Sequence, residues 1–336
     1  MGKHRISRKA TSRALAFMLG SGLIVAHAAT AAVATAEPVE FAETTVEPVA
    51  EPATARLAET QLIATELIIV TTINPLRLIA EEVVGELGRV ETLVPPQQSP
   101  HHYSLTPSAR LSLDEADIVL WIGSGFEVYL AGFLTGLAEH AELVAVADLP
   151  GIRLANRGDD VAALDYHLWL DTDNAKLIAA MISDKLGRLR PTQREIFARN
   201  LQRFQADLDA LEQEVEQLLP AADELNYAVY HNSIQYFERQ FGLRHAMSLL
   251  SNPEVQPGMR ELMQTQARLK ERQPACVLLD PESNPALLAT LLDGAEPQLL
   301  TIDLLGFALE DSHENYPRLI YNLAEQLSHC RNRGNK

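Results

Sequence analysis

The sequence predicts an α/β fold of two lobes with parallel sheets, joined by one long helix. Three observations carry this. Short β-branched runs alternate with amphipathic stretches at Leu67–Thr72, Val90–Val94, Ile118–Ile122 and Leu143–Ala147, the rhythm of parallel strands with crossover helices. The same rhythm returns at Tyr227–Tyr230, Met247–Leu250, Cys276–Leu279 and Leu299–Ile302. Between the two halves, Pro191–Leu219 spaces Ile196, Leu201, Phe204, Leu208, Leu211, Val215 and Leu218 at steps of three to five residues. Pro191 suits a first helical turn and Pro220 marks the end. A helix of that span is roughly 43 Å long at 1.5 Å per residue. As a rigid strut it predicts small lobe movements, and 336 residues are more than one ordinary core accommodates.

Taken in order, residues 1–36 read as a cleaved secretory signal: five basic residues precede the apolar run Ala14–Val25, and the small-residue triplets Ala26-His27-Ala28 and Ala34-Thr35-Ala36 follow. The apolar run is shorter than the ~20 residues that span a bilayer. No cysteine follows it, so a soluble periplasmic protein without a lipid anchor is expected. Residues 37–64 are rich in Glu, Pro and Ala and are expected to form a disordered leader. An N-terminal α/β lobe is expected over 65–172, a helical region including the long helix over 173–222, and a C-terminal α/β lobe over 223–336.

Composition narrows the function. A formal charge of −17 disfavours nucleic acid as a partner. Two cysteines are too few for an iron–sulfur centre or a Cys₄ zinc module, so a metal site must use histidine and carboxylate. Cys276 opens an apolar strand and Cys330 ends the amphipathic stretch Tyr316–Cys330. In an oxidising compartment a disulfide is favoured, with two separate thiols as the alternative.

Eight histidines lie beyond the signal segment, and three contexts stand out. His101 and His102 lie in Ser99-Pro100-His101-His102-Tyr103, a polar loop after the second strand. His167 is flanked by Asp165 and Asp171, either of which could accept its second ring N–H and fix its tautomer. His231 follows the strand Tyr227–Tyr230. Loops at the carboxyl ends of parallel strands face the ligand crevice. Zinc accepts imidazole nitrogen and carboxylate oxygen in tetrahedral geometry, and Asp303, after the strand Leu299–Ile302, supplies a fourth donor. Glu127, in Gly125-Phe126-Glu127, reads as an outer-shell carboxylate or as an ordinary helix-start charge. His140, His245, His313 and His329 have no ligand-like context and read as structural or surface residues.

These residues together resemble the zinc-specific solute-binding proteins of metal-uptake ABC transporters, the high-affinity zinc uptake system protein family of cluster A-I. The resemblance spans about 66–330. It rests on Ser-Pro-His-His-Tyr (99–103) with Thr-Pro-Ser (106–108), His167-Leu-Trp-Leu-Asp171, Tyr230-His231 with Tyr236-Phe237, Asn252-Pro253-Glu254-Val255 and Asp303-Leu304-Leu305-Gly306. It implies two (β/α)₄-like lobes with Zn²⁺ in the cleft between them, and delivery to an inner-membrane permease powered by a cytoplasmic ATPase. By motif position, His101, His167, His231 and Asp303 would hold the metal, with His102, Glu127, Asp165 and Asp171 around them. Histidine at 231, where the manganese branch generally places a carboxylate, points to zinc. The placement of Cys276 and Cys330 also resembles the disulfide of zinc-specific members.

The chain departs from the family in Asp165-Tyr166-His167, Leu170-Asp171-Thr172 and Asp303-Leu304-Leu305-Gly306, each lacking a usual proline. The His-rich loop of many zinc members is also missing, since Pro150–Ala163 is short and has no histidine. Rival readings are a manganese- or iron-binding relative, a zinc hydrolase, and a metal-stabilised adhesin. Neither His-Glu-x-x-His nor Gly-x-Ser-x-Gly is present, so a binding protein that is no enzyme, and monomeric, is expected.

Overall fold

The computed structural model describes residues 66–331 apart from 96–97, 99, 101–102, 138–140, 158–159, 254, 282 and 310–314. The readings of residues 1–64 as signal and leader lie outside the described residues, as do His101, His102, His140 and His313.

The first lobe runs β1 (Leu67–Thr71), α1 (Asn74–Val84), β2 (Gly88–Thr92), α2 (Pro107–Glu115), β3 (Ile118–Trp121), α3 (Ala131–Leu137) and β4 (Glu142–Ala145). Its strands are all parallel in the order β2-β1-β3-β4. A middle section follows, with the antiparallel pair β5 (Ala155–Arg157) and β6 (Asp160–Asp165), then the helices α4 (Thr172–Leu189) and α5 (Arg194–Leu218). The second lobe runs β7 (Tyr227–His231), α6 (Gln235–Gln240), β8 (Met247–Leu250), α7 (Met259–Arg272), β9 (Cys276–Leu279), α8 (Pro285–Leu291), β10 (Gln298–Thr301) and α9 (Asn315–Ser328). Its strands are parallel in the order β10-β9-β7-β8. Counted within its own lobe, each sheet therefore has the spatial order second, first, third, fourth. The direction of winding reverses between β1 and β3 in one sheet and between β7 and β9 in the other. At such a switch point an open parallel sheet leaves a crevice at its carboxyl edge.

The predicted strands sit within two residues of the observed ones. β2 begins at Gly88 rather than Val90 because its ladder starts at Leu67↔Gly88. After β4 the chain turns into a 3₁₀ segment, Val146–Asp148. The β5–β6 pair is an addition to the predicted elements. The predicted long helix starts later than expected: Pro191–Gln193 forms a 3₁₀ turn, and α5 then runs for 25 residues. Its buried stripe is Phe197, Phe204, Leu208, Leu211 and Val215. Phe197 thus takes the place expected for Ile196, because steps of seven, four, three and four residues keep one face toward the core.

α5 is not a strut standing in solvent. It packs against α1, α4 and α9, and α1 also meets α4 and α9. One buried cluster accordingly runs through both lobes, taking in Ile69 of β1, Leu76 of α1, Phe204 and Leu208 of α5, Tyr227 and Val229 of β7, and Tyr316 of α9. Alternate strand residues face outward into a separate cluster in each lobe, Val70 and Val119 in the first, Ala228 and Val277 in the second. Residues Ile63–Lys336 consequently group as one unit rather than two independent domains. Cys276 and Cys330 form the expected disulfide, with Cα atoms 5.5 Å apart, joining the start of β9 to the end of α9. Among the described residues no helix is long and apolar enough to cross a membrane.

Candidate metal centre

The switch point of the second sheet carries a histidine and a carboxylate. β7 and β9 pair in register through Val229↔Leu278, so the residues two further along, His231 and Asp280, emerge side by side at the carboxyl edge. His231 Nδ1 lies 2.8 Å from Asp280 Oδ2. Asp280 is a site residue that the sequence reading missed. Its signal was available: it directly follows the strand Cys276–Leu279, as Asp303 follows β10.

His167 comes from the first lobe, two residues beyond β6. Its Nδ1 lies 2.6 Å from Asp165 Oδ1, which also accepts the His167 backbone N–H at 3.0 Å. Of the two flanking carboxylates, Asp165 orients the ring. Asp165 is in turn held by the second lobe: Gln235 Nε2 donates to its Oδ2 at 2.5 Å, and the Tyr236 hydroxyl donates to its carbonyl at 2.5 Å. Burial would raise the Asp165 carboxyl, but the adjacent His167 and the Gln235 amide hold it below its ordinary range. Phe126 and Trp169 stand against the His167 ring, with centroids 6.4 and 5.3 Å away.

The two imidazoles meet across the lobes with ring centroids 5.4 Å apart. They line a cleft of about 820 Å³ together with Phe126, Trp169, Tyr230, Asp280 and Asp303. Asp303 reaches the cleft but is engaged with its own loop. Its Oδ1 accepts from Leu305 N at 3.2 Å and Gly306 N at 2.8 Å, and its Oδ2 from Ala308 N at 2.8 Å. Of about four lone-pair sites on a carboxylate, three are used there. Gly306 permits this turn, since its φ is 68° and a Cβ would meet Leu78 and Leu309 at 3.1 Å. Among the described residues, no three His, Cys, Asp or Glu side chains are grouped as a metal site.

Two predicted outer-shell carboxylates have other tasks. Asp171 caps α4, its Oδ1 accepting from Asp173 N at 2.9 Å and Asn174 N at 3.2 Å, and pairs with Arg153 at 3.0 Å. As first residue of the helix entry it turns toward the helix N–H groups rather than toward His167. Glu127 is neither a cleft carboxylate nor an exposed helix-start charge. It is fully buried and closes the switch point of the first sheet, accepting from Thr72 Oγ1 at 2.5 Å, Ile122 N at 3.0 Å and Gly123 N at 2.9 Å. Burial pushes its carboxyl above the ordinary range. Tyr166 lies against Gly125 so closely that a Cβ on Gly125 would sit 1.9 Å from its hydroxyl. His102 lies outside the described residues, as does His101. His245 is structural: its Nδ1 lies 2.9 Å from both oxygens of Glu238.

Comparison with known proteins identifies the family and agrees with the fold. Residues 69–330 match the family described as ZnuA, zinc-uptake complex component A, periplasmic. The high-affinity zinc uptake system protein ZnuA of Brucella abortus (strain 2308) is 31% identical over 303 residues, covering 78% of this chain and 91% of that protein. A crystal structure of ZnuA superposes with a TM-score of 0.70 at 25% identity, over 79% of this chain and 99% of the other. A zinc-bound ZnuA lacking its residues 138–173 gives 0.69 at 25% identity, over 80% and 100%.

Proposed function

The chain belongs to the ZnuA family of periplasmic zinc-uptake components, which are transport proteins and not enzymes, and from that premise we propose that it captures Zn²⁺ in the interlobe cleft and delivers it to an ABC-type permease. The observation that carries this reading is the spacing of the two imidazoles. With Zn–N near 2.0–2.1 Å and tetrahedral angles, two histidines on one zinc place their ring centroids roughly 5 Å apart. The rings of His167 and His231 stand at 5.4 Å. His167 Nδ1 is hydrogen-bonded to Asp165, so its ligation falls to Nε2, the arrangement that metal-ligating histidines favour, and His231 Nδ1 lies 2.8 Å from Asp280 Oδ2.

In this reading His101 and Asp303 complete the ligand set, Asp303 by sharing an oxygen with its loop, and His102 belongs to the outer shell. The chain is exported by cleavage of residues 1–36 and remains without a lipid anchor. Residues 37–64 form a leader, 65–172 and 223–336 the lobes, and 173–222 the helical region that joins them. The partners are an inner-membrane permease and its cytoplasmic ATPase, the capture protein itself being monomeric.

The test is competitive binding on metal-stripped protein with Zn²⁺ and Mn²⁺ offered together. Wild type should take one tight equivalent of zinc, and His167→Ala should weaken it at least tenfold. Manganese preference, or zinc binding indifferent to His167, would overturn the assignment.

A further inference from the structure

We propose that Asp280 is the positioning residue for His231, presenting its Nε2 to zinc; this rests on the reading of the cleft as a zinc site. Three features place Asp280 beside His231. Its Oδ2 lies 2.8 Å from His231 Nδ1, close enough to accept from it once the ring turns onto that line. Its carbonyl accepts from Ser283 N at 2.9 Å, closing a turn in which Pro281 occupies the second position and fixes the backbone there. The next residue, Asn284, donates its N–H to the Tyr230 hydroxyl at 3.2 Å, which ties the turn back to the residue preceding His231. Register does the rest, because β7 and β9 are adjacent parallel strands and their ends advance together.

The chemical consequence follows from the imidazole. A carboxylate that accepts from Nδ1–H fixes the neutral ring in the tautomer with its lone pair on Nε2, and raises the basicity of that nitrogen. The ring N–H lies off the line to Asp280 in this structure, and turning the ring until Nδ1–H meets the carboxylate sets the plane in which Nε2 is presented. Asp280 is thus placed to do for the second lobe what Asp165, hydrogen-bonded to His167, does for the first. Its carboxylate acts through His231 and need not touch the ion.

The experiment compares wild type, Asp280→Ala, Asp280→Asn and His231→Ala, measuring zinc affinity against a chromophoric chelator, the Co²⁺ ligand-field spectrum, and the ring ¹⁵N shifts of His231 in metal-stripped protein. Asp280→Ala should weaken zinc about 10- to 100-fold, shift the cobalt bands and mix the His231 tautomers. Asp280→Asn keeps an acceptor for Nδ1–H, so it should hold the Nδ1–H tautomer and the cobalt bands and recover most of the affinity, which a purely structural defect would not allow. Wild-type zinc affinity and an unchanged His231 tautomer in Asp280→Ala would overturn the proposal, and so would loss of the Nδ1–H tautomer in Asp280→Asn with no loss of zinc. If His231→Ala itself binds zinc as wild type does, the zinc site fails, and Asp280 with it.

Discussion

Glu127 shows how one buried carboxylate ties stability to pH. Burial raises its folded-state pKa above the ordinary 4.5, outweighing the hydrogen bonds from Thr72, Ile122 and Gly123. The folded state therefore holds the proton more tightly than the unfolded chain. Its favourable contribution is complete below the unfolded pKa and is lost as pH rises through the folded one. Urea unfolding of wild type and Glu127→Gln across that range should show the glutamine variant gaining on wild type as pH increases. A gap moving the other way would mean that the three donors outweigh burial. His245 makes a contrasting prediction. Its pairing with Glu238, which also accepts from the Tyr227 hydroxyl at 2.6 Å, is structural, so His245→Ala should cost about 1–3 kcal/mol of stability and leave zinc stoichiometry unchanged. Residue type was legible in the sequence for His167, and residue type and strand-end position for His231 and Asp303. The choice of Asp165 over Asp171, and the part played by Asp280, were not. Both depend on which side chains a helix cap or a strand register brings together, and a linear pattern does not encode that distance.

Elements were more legible than contacts because burial on both faces writes itself into composition. β7 and β9 are nearly continuous apolar runs, and both are covered, as parallel strands between helix layers must be. The β5–β6 pair escaped because Ala155–Arg157 is three residues long, too short for alternation to stand out. The offset in α5 has a similar cause: Ile196 and Phe197 are both apolar, and only packing against α1 and α9 decides which one turns inward. Phe204 is fully buried at the centre of that helix. Phe204→Ala should cost about 3–5 kcal/mol in urea unfolding, whereas Gln202→Ala, on the exposed face, should stay within about 0.5 kcal/mol. The disulfide belongs to the same scale. It closes a separation of 54 residues, and replacing both cysteines with alanine should remove at most roughly 4 kcal/mol in the chain-entropy account. A loss near zero would indicate that α9 already anchors β9 through its packing alone.

The whole molecule is built against wide opening. A single core threads both lobes through α5, and hydrogen bonds cross between them at the cleft. Asn74 Nδ2 donates to the carbonyls of Leu305 and Gly306 at 2.8 and 3.1 Å, and Trp169 Nε1 donates to the Leu304 carbonyl at 2.9 Å. The Asp303 loop is thus gripped from the first lobe, just as the Asp165 segment is gripped by Gln235 and Tyr236 from the second. A hinge motion on the scale of domain-closing binding proteins would break these bonds and expose Phe204 and Tyr316 to water. Zinc should therefore change the cleft locally and the outline very little. Small-angle scattering of metal-stripped and zinc-loaded protein should give matching radii of gyration, while slowed amide exchange is confined to the strand ends that carry His167, His231 and Asp280. Compaction of several ångströms, or exchange protection spreading through α5, would show that the shared core yields on binding, and the helix would then be a hinge rather than a brace.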